Sequence, residues 1–588
     1  MKYKKNNLSG NGMNSPLENQ FKAPRMSFSL SDKTVGYAEC LDNCWNFSIF
    51  AMEHSFAWLN EYNAGYIQGR LQGESMLKAA RDNTWKNLYL TDTSHSFPHE
   101  LPPSANDIAK AEAVLTENLN FMLNKTAGHL EDLSFFEDYV LRLQQRMLGI
   151  YEGATGCPEP TVITFDGCNE EADFKCAKSE CLHTVVQKLK DILKDEDKMK
   201  LGYGSTSLSY LDVYFINAQM DLADVVAQSH EGIAYGLHKS DHCSAFVKRT
   251  GDDILWTHNS WCGFLTQSMT ISYSIYGYDY YKKEEDRIEF ITQNSYCPGQ
   301  FGSNMDFGFN YHGICFNETT HRYTIGKPKT DAVWLCWRAA VAEMFAKNID
   351  EFYEFISIDN SGTYLNGYMV IDSKTEEVAL IEMSYRRFVK FLSDGKSLTV
   401  SEKVDGGAEQ PVPEKEYDHE LITPEYIFGV NFPVSKAVAE DLQSTDNRPM
   451  RRVQFKEQIS SIQTVSDAKA LITYVGKDTS GKQEPLSIFG RWDLGYGTTE
   501  YPKTVPDGSV DAKACSVKQV RKLLSELTYI PDAYSNKTSF WMRFGTPEID
   551  GKPFIWNESA WYQYWDKDKS GVPNQLDGKW HETKLFMK

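Results

Sequence analysis

No stretch of this 588-residue chain runs to eighteen consecutive apolar residues, so the sequence offers no membrane-spanning helix. Nor is there a basic stripe. A net charge of −20 argues against a nucleic-acid backbone as partner, because phosphate binding needs clustered Lys and Arg. The positively charged start, Met1-Lys2-Tyr3-Lys4-Lys5, has no apolar core behind it, and the polar stretch from Gly10 to Arg25 carries two prolines. No export signal is therefore legible, and residues 1–30 are expected to be a disordered tail. Internal repeats and low-complexity tracts are missing as well. Cysteine is sparse, with 12 residues. Cys157, Cys168, Cys176 and Cys181 share one acidic, loop-like segment at spacings that fit no zinc template, so free thiols or a local disulfide are expected there.

What remains is the composition of a protein that can bury a core: 41% hydrophobic and 24% charged residues. Asn-X-Ser/Thr triplets at Asn7, Asn46, Asn124, Asn317, Asn536 and Asn557 would permit glycosylation in a secretory compartment. From Phe47 to Ala80 the pattern is helical, with small residues around Ala64, Gly65 and Gly69 where another element could pack closely. Leu133, Phe136, Val140, Leu143, Met147 and Ile150 share one face of a second helix. Thr330 is placed to cap a third, running to about Lys347. Short β-type runs occur at 246–248, 254–258, 288–291, 368–371 and 378–383, the last two joined by a polar turn that predicts a hairpin. Grouped strands and helices point to an α+β architecture. The tyrosines at 273, 276, 278, 280 and 281 read either as a lipid groove or as a half-buried edge strand.

The densest chemistry lies in Asp241-His242-Cys243-Ser244-Ala245, followed by His258-Asn259-Ser260-Trp261. A papain-like site would use Cys44, His242 and Asn259, with the Asn orienting the imidazole. However, Glu39-Cys40-Leu41-Asp42-Asn43 lacks the usual lead-in to such a cysteine, and about 325 residues after Trp261 would have no task. The other reading makes Cys243 the nucleophile. Cleavage between His242 and Cys243 would leave a thiol and a free α-amine on one residue, and an amine with a pKa near 8 can accept the thiol proton. Taken singly, each of these residues has a duller explanation as core filling; their ordered co-occurrence is what gives them weight.

That order resembles the phospholipase B-like family. The matching motifs are Asp241-His-Cys-Ser-Ala-Phe-Val-Lys248, His258-Asn-Ser-Trp261, Ser295-Tyr-Cys-Pro-Gly299, Asp306-Phe307 and Glu318-Thr-Thr320. Asn360-Ser-Gly-Thr-Tyr364, Tyr368-Met-Val-Ile-Asp372, Asn431-Phe-Pro433, Pro449-Met-Arg451, Arg491-Trp-Asp-Leu494 and Gly508-Ser-Val-Asp-Ala-Lys513 follow. The resemblance implies an N-terminal-nucleophile hydrolase fold, an αββα sandwich of two antiparallel sheets between helical layers. It divides the chain into a mainly helical portion, 31–242, and a nucleophile-bearing portion, 243–588, folded together as one domain. It further implies Cys243 as an autocatalytically exposed nucleophile, with Asn431 donating to the oxyanion. His258 and Trp261 would line the site, with Asp306 and Thr320 on neighbouring strands. Arg451, with Arg452 as alternative, would hold carboxyl groups of the site or an anionic substrate head. The implied substrate is an acylated glycerophospholipid, without metal or organic cofactor, in a lysosomal or secreted setting. Amide hydrolysis by the same thiol, and a catalytically silent lipid-binding protein, stay open.

Overall fold

A computed structural model describes residues 25–585 with gaps, the longest at 91–102, 159–182, 230–242, 279–287, 492–506, 528–536 and 559–574. Two sheets lie face to face. The larger has twelve strands, from Arg25–Ser29 at one edge to Gln410–Pro411 at the other; the smaller has seven and includes Cys243–Thr250, Asp253–Gly263 and Asp511–Ser516. The sheets are joined by packing and polar bonds: Trp256 stacks on Phe307 at 5.6 Å between ring centroids, and Asn317 Nδ2 donates to the Thr257 carbonyl at 2.8 Å. Helices Ala57–Leu90, Leu335–Phe345 and Ile349–Ser357 cover the larger sheet, and Val465–Ile472 and Val517–Glu526 cover the smaller. The α+β sandwich expected from the sequence is present.

Local chemistry accounts for the element ends. Ser134 and Glu137 form a reciprocal capping box at the start of helix Phe135–Ala154, satisfying backbone N–H groups that have no intrahelical partner. That helix packs on Ala57–Leu90 through glycines of both helices. A Cβ built on Gly65 or Gly149 would collide with the carbonyl of Arg146 or Tyr62 respectively, so the close approach foreseen at Gly65 and Gly69 is realised.

Several sequence expectations need correction. The helical pattern assigned from Phe47 actually begins at Ala57, because Cys44–Ala51 is a strand pairing parallel with Ile271–Tyr278. Trp45 to Phe50 are buried on both faces, which erases the alternation that marks a half-exposed strand. This pairing also places segments before and after residue 243 in one sheet. Arg25–Ser29, inside the expected tail, is a strand paired with Val35–Leu41; residues 1–24 lie outside the described residues. The helix expected after Thr330 starts at Leu335, where the Asp221 carboxylate accepts from the N–H groups of Leu335 and Cys336 at 2.8 and 3.0 Å. Ile271–Tyr278 is an interior strand with neighbours on both sides, which removes the edge-strand reading of Tyr273, Tyr276 and Tyr278. Of the glycosylation triplets, Asn46 and Asn317 are buried, whereas Asn124 and Asn557 are exposed.

Candidate active site

Cys243 opens the first strand of the smaller sheet and pairs with Ser260 of its neighbour; Ala245 pairs with His258, and His258 with Lys513. Side chains alternate across a strand, so Cys243, His258, Ser260 and Lys513 share the face turned toward the larger sheet. From that sheet come Asp306, just ahead of strand Phe307–Asn310, and Glu318 and Thr320 in strand Ile314–Thr320. Atoms of Cys243, His258 and Asp306 that could serve as ligands (Sγ, an imidazole nitrogen, a carboxylate oxygen) lie within 4.8 Å of one another. All three residues are buried, Cys243 being 1% exposed.

A second group fixes the backbone of Cys243. Its N–H donates to Asn431 Oδ1 at 3.2 Å. Arg451 Nη1 donates to the same Oδ1 at 2.9 Å, to Ser244 Oγ at 3.1 Å and to the Cys243 carbonyl, while Nη2 donates to the Val430 carbonyl at 2.7 Å. Asn431 Nδ2 donates to the Thr320 carbonyl at 2.6 Å. Two donors converging on one side of the amide and a carbonyl on the other fix its orientation. Asn431 sits at φ 62, a left-handed conformation that Asn tolerates better than most side chains.

These contacts revise three roles expected from the sequence. Asn431 donates from Nδ2 to the Thr320 carbonyl, and it is its oxygen rather than an N–H that faces the nitrogen of Cys243. Arg451 is fully buried and donates to the Cys243 and Val430 carbonyls, Ser244 Oγ and Asn431 Oδ1, a placement inside the fold rather than at an anionic head; Arg452, the alternative, pairs with Asp418 at 2.9 Å near the surface. The ring of Trp261 lies on the opposite face of its strand, 5.4 Å from the Arg451 guanidinium, with Nε1 donating to the Ile488 carbonyl at 3.3 Å. Its backbone N–H reaches the Cys243 sulfur. Thr320 contributes its carbonyl, and its hydroxyl donates to Tyr364 Oη at 3.2 Å, which brings the Asn360–Tyr364 turn up to the site. His242 lies outside the described residues.

The papain-like alternative finds no support. Cys44 belongs to the larger sheet. Asn259 accepts from Ser244 N and donates to the carbonyls of Ile472 and Ile488, so both its amide donors are committed to backbone.

Burial decides the protonation states. It pushes the Cys243 thiol well above its ordinary value; the charges of Glu318 and Asp306 add to this, and Lys513 and the Trp261 N–H oppose it. Burial drives His258 well below the ordinary imidazole value, helped by Lys513 and opposed by the Glu318 carbonyl, so its ring is neutral. Asp306 is raised by burial and by the neighbouring Glu318 and Glu343 carboxyls. Lys513, which the sequence reading quoted within a motif but gave no role, donates to Ser260 Oγ at 2.7 Å and Asp511 Oδ1 at 2.8 Å. A Lys and an Asp two positions apart on one buried face of a strand are an anomaly that could have flagged it.

A protein-family model described as Phospholipase B matches residues 180–583. Phospholipase B-like protein B of Dictyostelium discoideum is 24% identical over 414 residues, covering 64% of each chain. Phospholipase B of Crotalus adamanteus is 24% identical over 391 residues, 60% of this chain and 65% of its own. Phospholipase B-like 1 of Rattus norvegicus is 29% identical over 180 residues, 28% of this chain and 32% of its own. The matches span under two thirds of the length of these relatives.

Proposed function

This chain belongs to the phospholipase B family, and on that premise we propose that it is an acyl hydrolase of the N-terminal-nucleophile type whose nucleophile is Cys243, removing acyl chains from glycerophospholipids. The observation that carries this reading is the grip on Cys243: its nitrogen on Asn431 Oδ1, its carbonyl on Arg451, its sulfur beside a neutral imidazole.

Activation begins with a cut between His242 and Cys243. The thiol adds to the residue 242 carbonyl carbon, the C–N bond breaks as the nitrogen gains a proton, and water hydrolyses the resulting thioester to a carboxylate. The new α-amine then occupies the place of the amide N–H, where Asn431 Oδ1 accepts one of its protons and leaves the lone pair for the thiol proton. His258 is the weaker base of the two, because burial and Lys513 both disfavour an imidazolium, whereas an α-amine titrates near neutrality without help. In turnover the thiolate attacks the acyl carbonyl, the ester C–O bond breaks, the departing alkoxide takes the amine's proton, and water releases the fatty acid. The segments before and after the cut stay together because they share the larger sheet.

A thiol with an amine base is indifferent to an alcohol or amine leaving group, so N-acyl amides are the second substrate class, cleaved by the same residues. The test is intact mass of the purified full chain at acidic and neutral pH, with release of fatty acid from phosphatidylcholine measured on the same samples. A fragment starting at residue 243, with hydrolysis lost in Cys243→Ala, is the expected result. Hydrolysis by a Cys243→Ala protein would overturn the assignment.

A further inference from the structure

The trio around the sulfur has a second chemical capacity. Cys243, His258 and Asp306 supply sulfur, nitrogen and oxygen from three segments of chain, and all three are buried. The ring nitrogens of His258 and the carboxylate oxygens of Asp306 have no partner in good hydrogen-bond geometry; Glu318 lies beside both, through its carbonyl at His258 and its carboxyl at Asp306. Buried polar atoms are normally satisfied, and each one left open costs about 1–3 kcal/mol. Such atoms, aimed at one another across less than 4.8 Å, are the donor set of a three-ligand zinc site with an open fourth position. We propose that Cys243 Sγ, an imidazole nitrogen of His258 and a carboxylate oxygen of Asp306 bind one Zn2+ ion, and that this ion holds the thiol out of reaction.

The chemistry selects the ion. Thiolate and imidazole favour zinc over calcium or magnesium, which take oxygen ligands. Two anionic ligands balance the charge of the ion, which also faces the carboxyl group of Glu318. Lys513 opposes it, but its ammonium is already bonded to Asp511 Oδ1 and Ser260 Oγ. Binding displaces the thiol proton to solvent, so affinity rises with pH. With its lone pairs engaged on the metal the sulfur attacks no carbonyl, neither of its own chain nor of a lipid. That inhibitory consequence rests on Cys243 being the nucleophile; the binding itself does not.

The experiment separates the two. Co2+ replaces Zn2+ as a spectroscopic probe on the full chain, with titration of a sulfur-to-cobalt charge-transfer band and, in parallel, mass spectrometry of Cys243 alkylation by iodoacetamide with and without Zn2+. Expected are one equivalent of Co2+, a band lost in Cys243→Ser and kept in Cys262→Ser, affinity at least about tenfold weaker in Asp306→Asn, and protection of Cys243 from alkylation by Zn2+. Protection is read on the unaltered protein, so a variant that fails to fold does not decide the result. No band, a band that survives Cys243→Ser, or unprotected Cys243 would each refute the site. If binding holds but Zn2+ leaves lipid hydrolysis untouched, the ion does not silence the nucleophile, and the nucleophile assignment fails while the metal site stands.

Discussion

Replacing Asn431 by Ala tests the arrangement at its most connected point. The change removes the acceptor of the Cys243 N–H, one acceptor of Arg451 and the donor to the Thr320 carbonyl. Leaving the Cys243 N–H and the Thr320 carbonyl unpaired in a buried setting costs roughly 1–3 kcal/mol each. Placing Ala at φ 62 adds about 1 kcal/mol that Asn partly and Gly wholly avoids. Arg451 keeps the Cys243 and Val430 carbonyls and Ser244 Oγ, so its charge is not stranded. The expected loss is therefore about 3–7 kcal/mol for Asn431→Ala, and about 1 kcal/mol less for Asn431→Gly. Calorimetry of the full chain gives the stability ranking, and the fraction of chain cut before residue 243, followed over time by intact mass, gives the functional one. Both variants should be cut at least about a hundredfold more slowly, since a misplacement of about an ångström has that effect. If Asn431→Ala melts like the parent and is cut at the parental rate, the nitrogen of Cys243 is not held in the way these hydrogen bonds imply.

Arg451→Lys keeps the charge but loses the planar fork that spans Asn431 Oδ1 and the Cys243 and Val430 carbonyls; cutting should slow by about tenfold or more while far-ultraviolet circular dichroism stays unchanged, and a parental rate would count against a positioning role. Gly65→Ala and Gly149→Ala each drive a Cβ into the facing helix backbone and should cost about 1–3 kcal/mol or more through overpacking, measured as a lower melting temperature. Gly73→Ala meets no atom within 4 Å, but at φ 72 and ψ 160 it should cost about 1–3 kcal/mol for backbone conformation alone. Glu382, buried and accepting from the N–H groups of Val434 and Ser435, is pushed up to about 8 by burial. A carboxyl raised on folding favours the native state below its unfolded value and loses that contribution as pH rises from about 4.5 to about 8. The gap corresponds to a span on the order of 4–5 kcal/mol, so the melting temperature of the parent should fall relative to Glu382→Gln across that window; parallel curves would show that the side chain titrates normally.

Sequence alone determined what local pattern and motif order carry. The helix at 135–154, the hairpin at 366–383, the small residues at Gly65 and Gly69 that allow close packing and the position of Cys243 at the start of a strand were all legible, because periodicity, turn residues and residue size are local features. The motif order suggested the family and a set of candidate site residues, without stating what each one touches. Tertiary structure decided the rest. Helix Leu335–Phe345 begins where Asp221, more than a hundred residues earlier, meets its N–H groups, and Cys44–Ala51 is a strand because a partner from residues 271–278 lies alongside. Which atom of Asn431 faces Cys243, which face of its strand Trp261 occupies, and the convergence of Lys513, Glu318 and Asp306 on one sulfur all follow from the stacking of two sheets. Side-chain identity fixes what a residue can bond; only its neighbours across the sandwich fix what it does bond, and the low dielectric between the sheets then sets which groups carry charge.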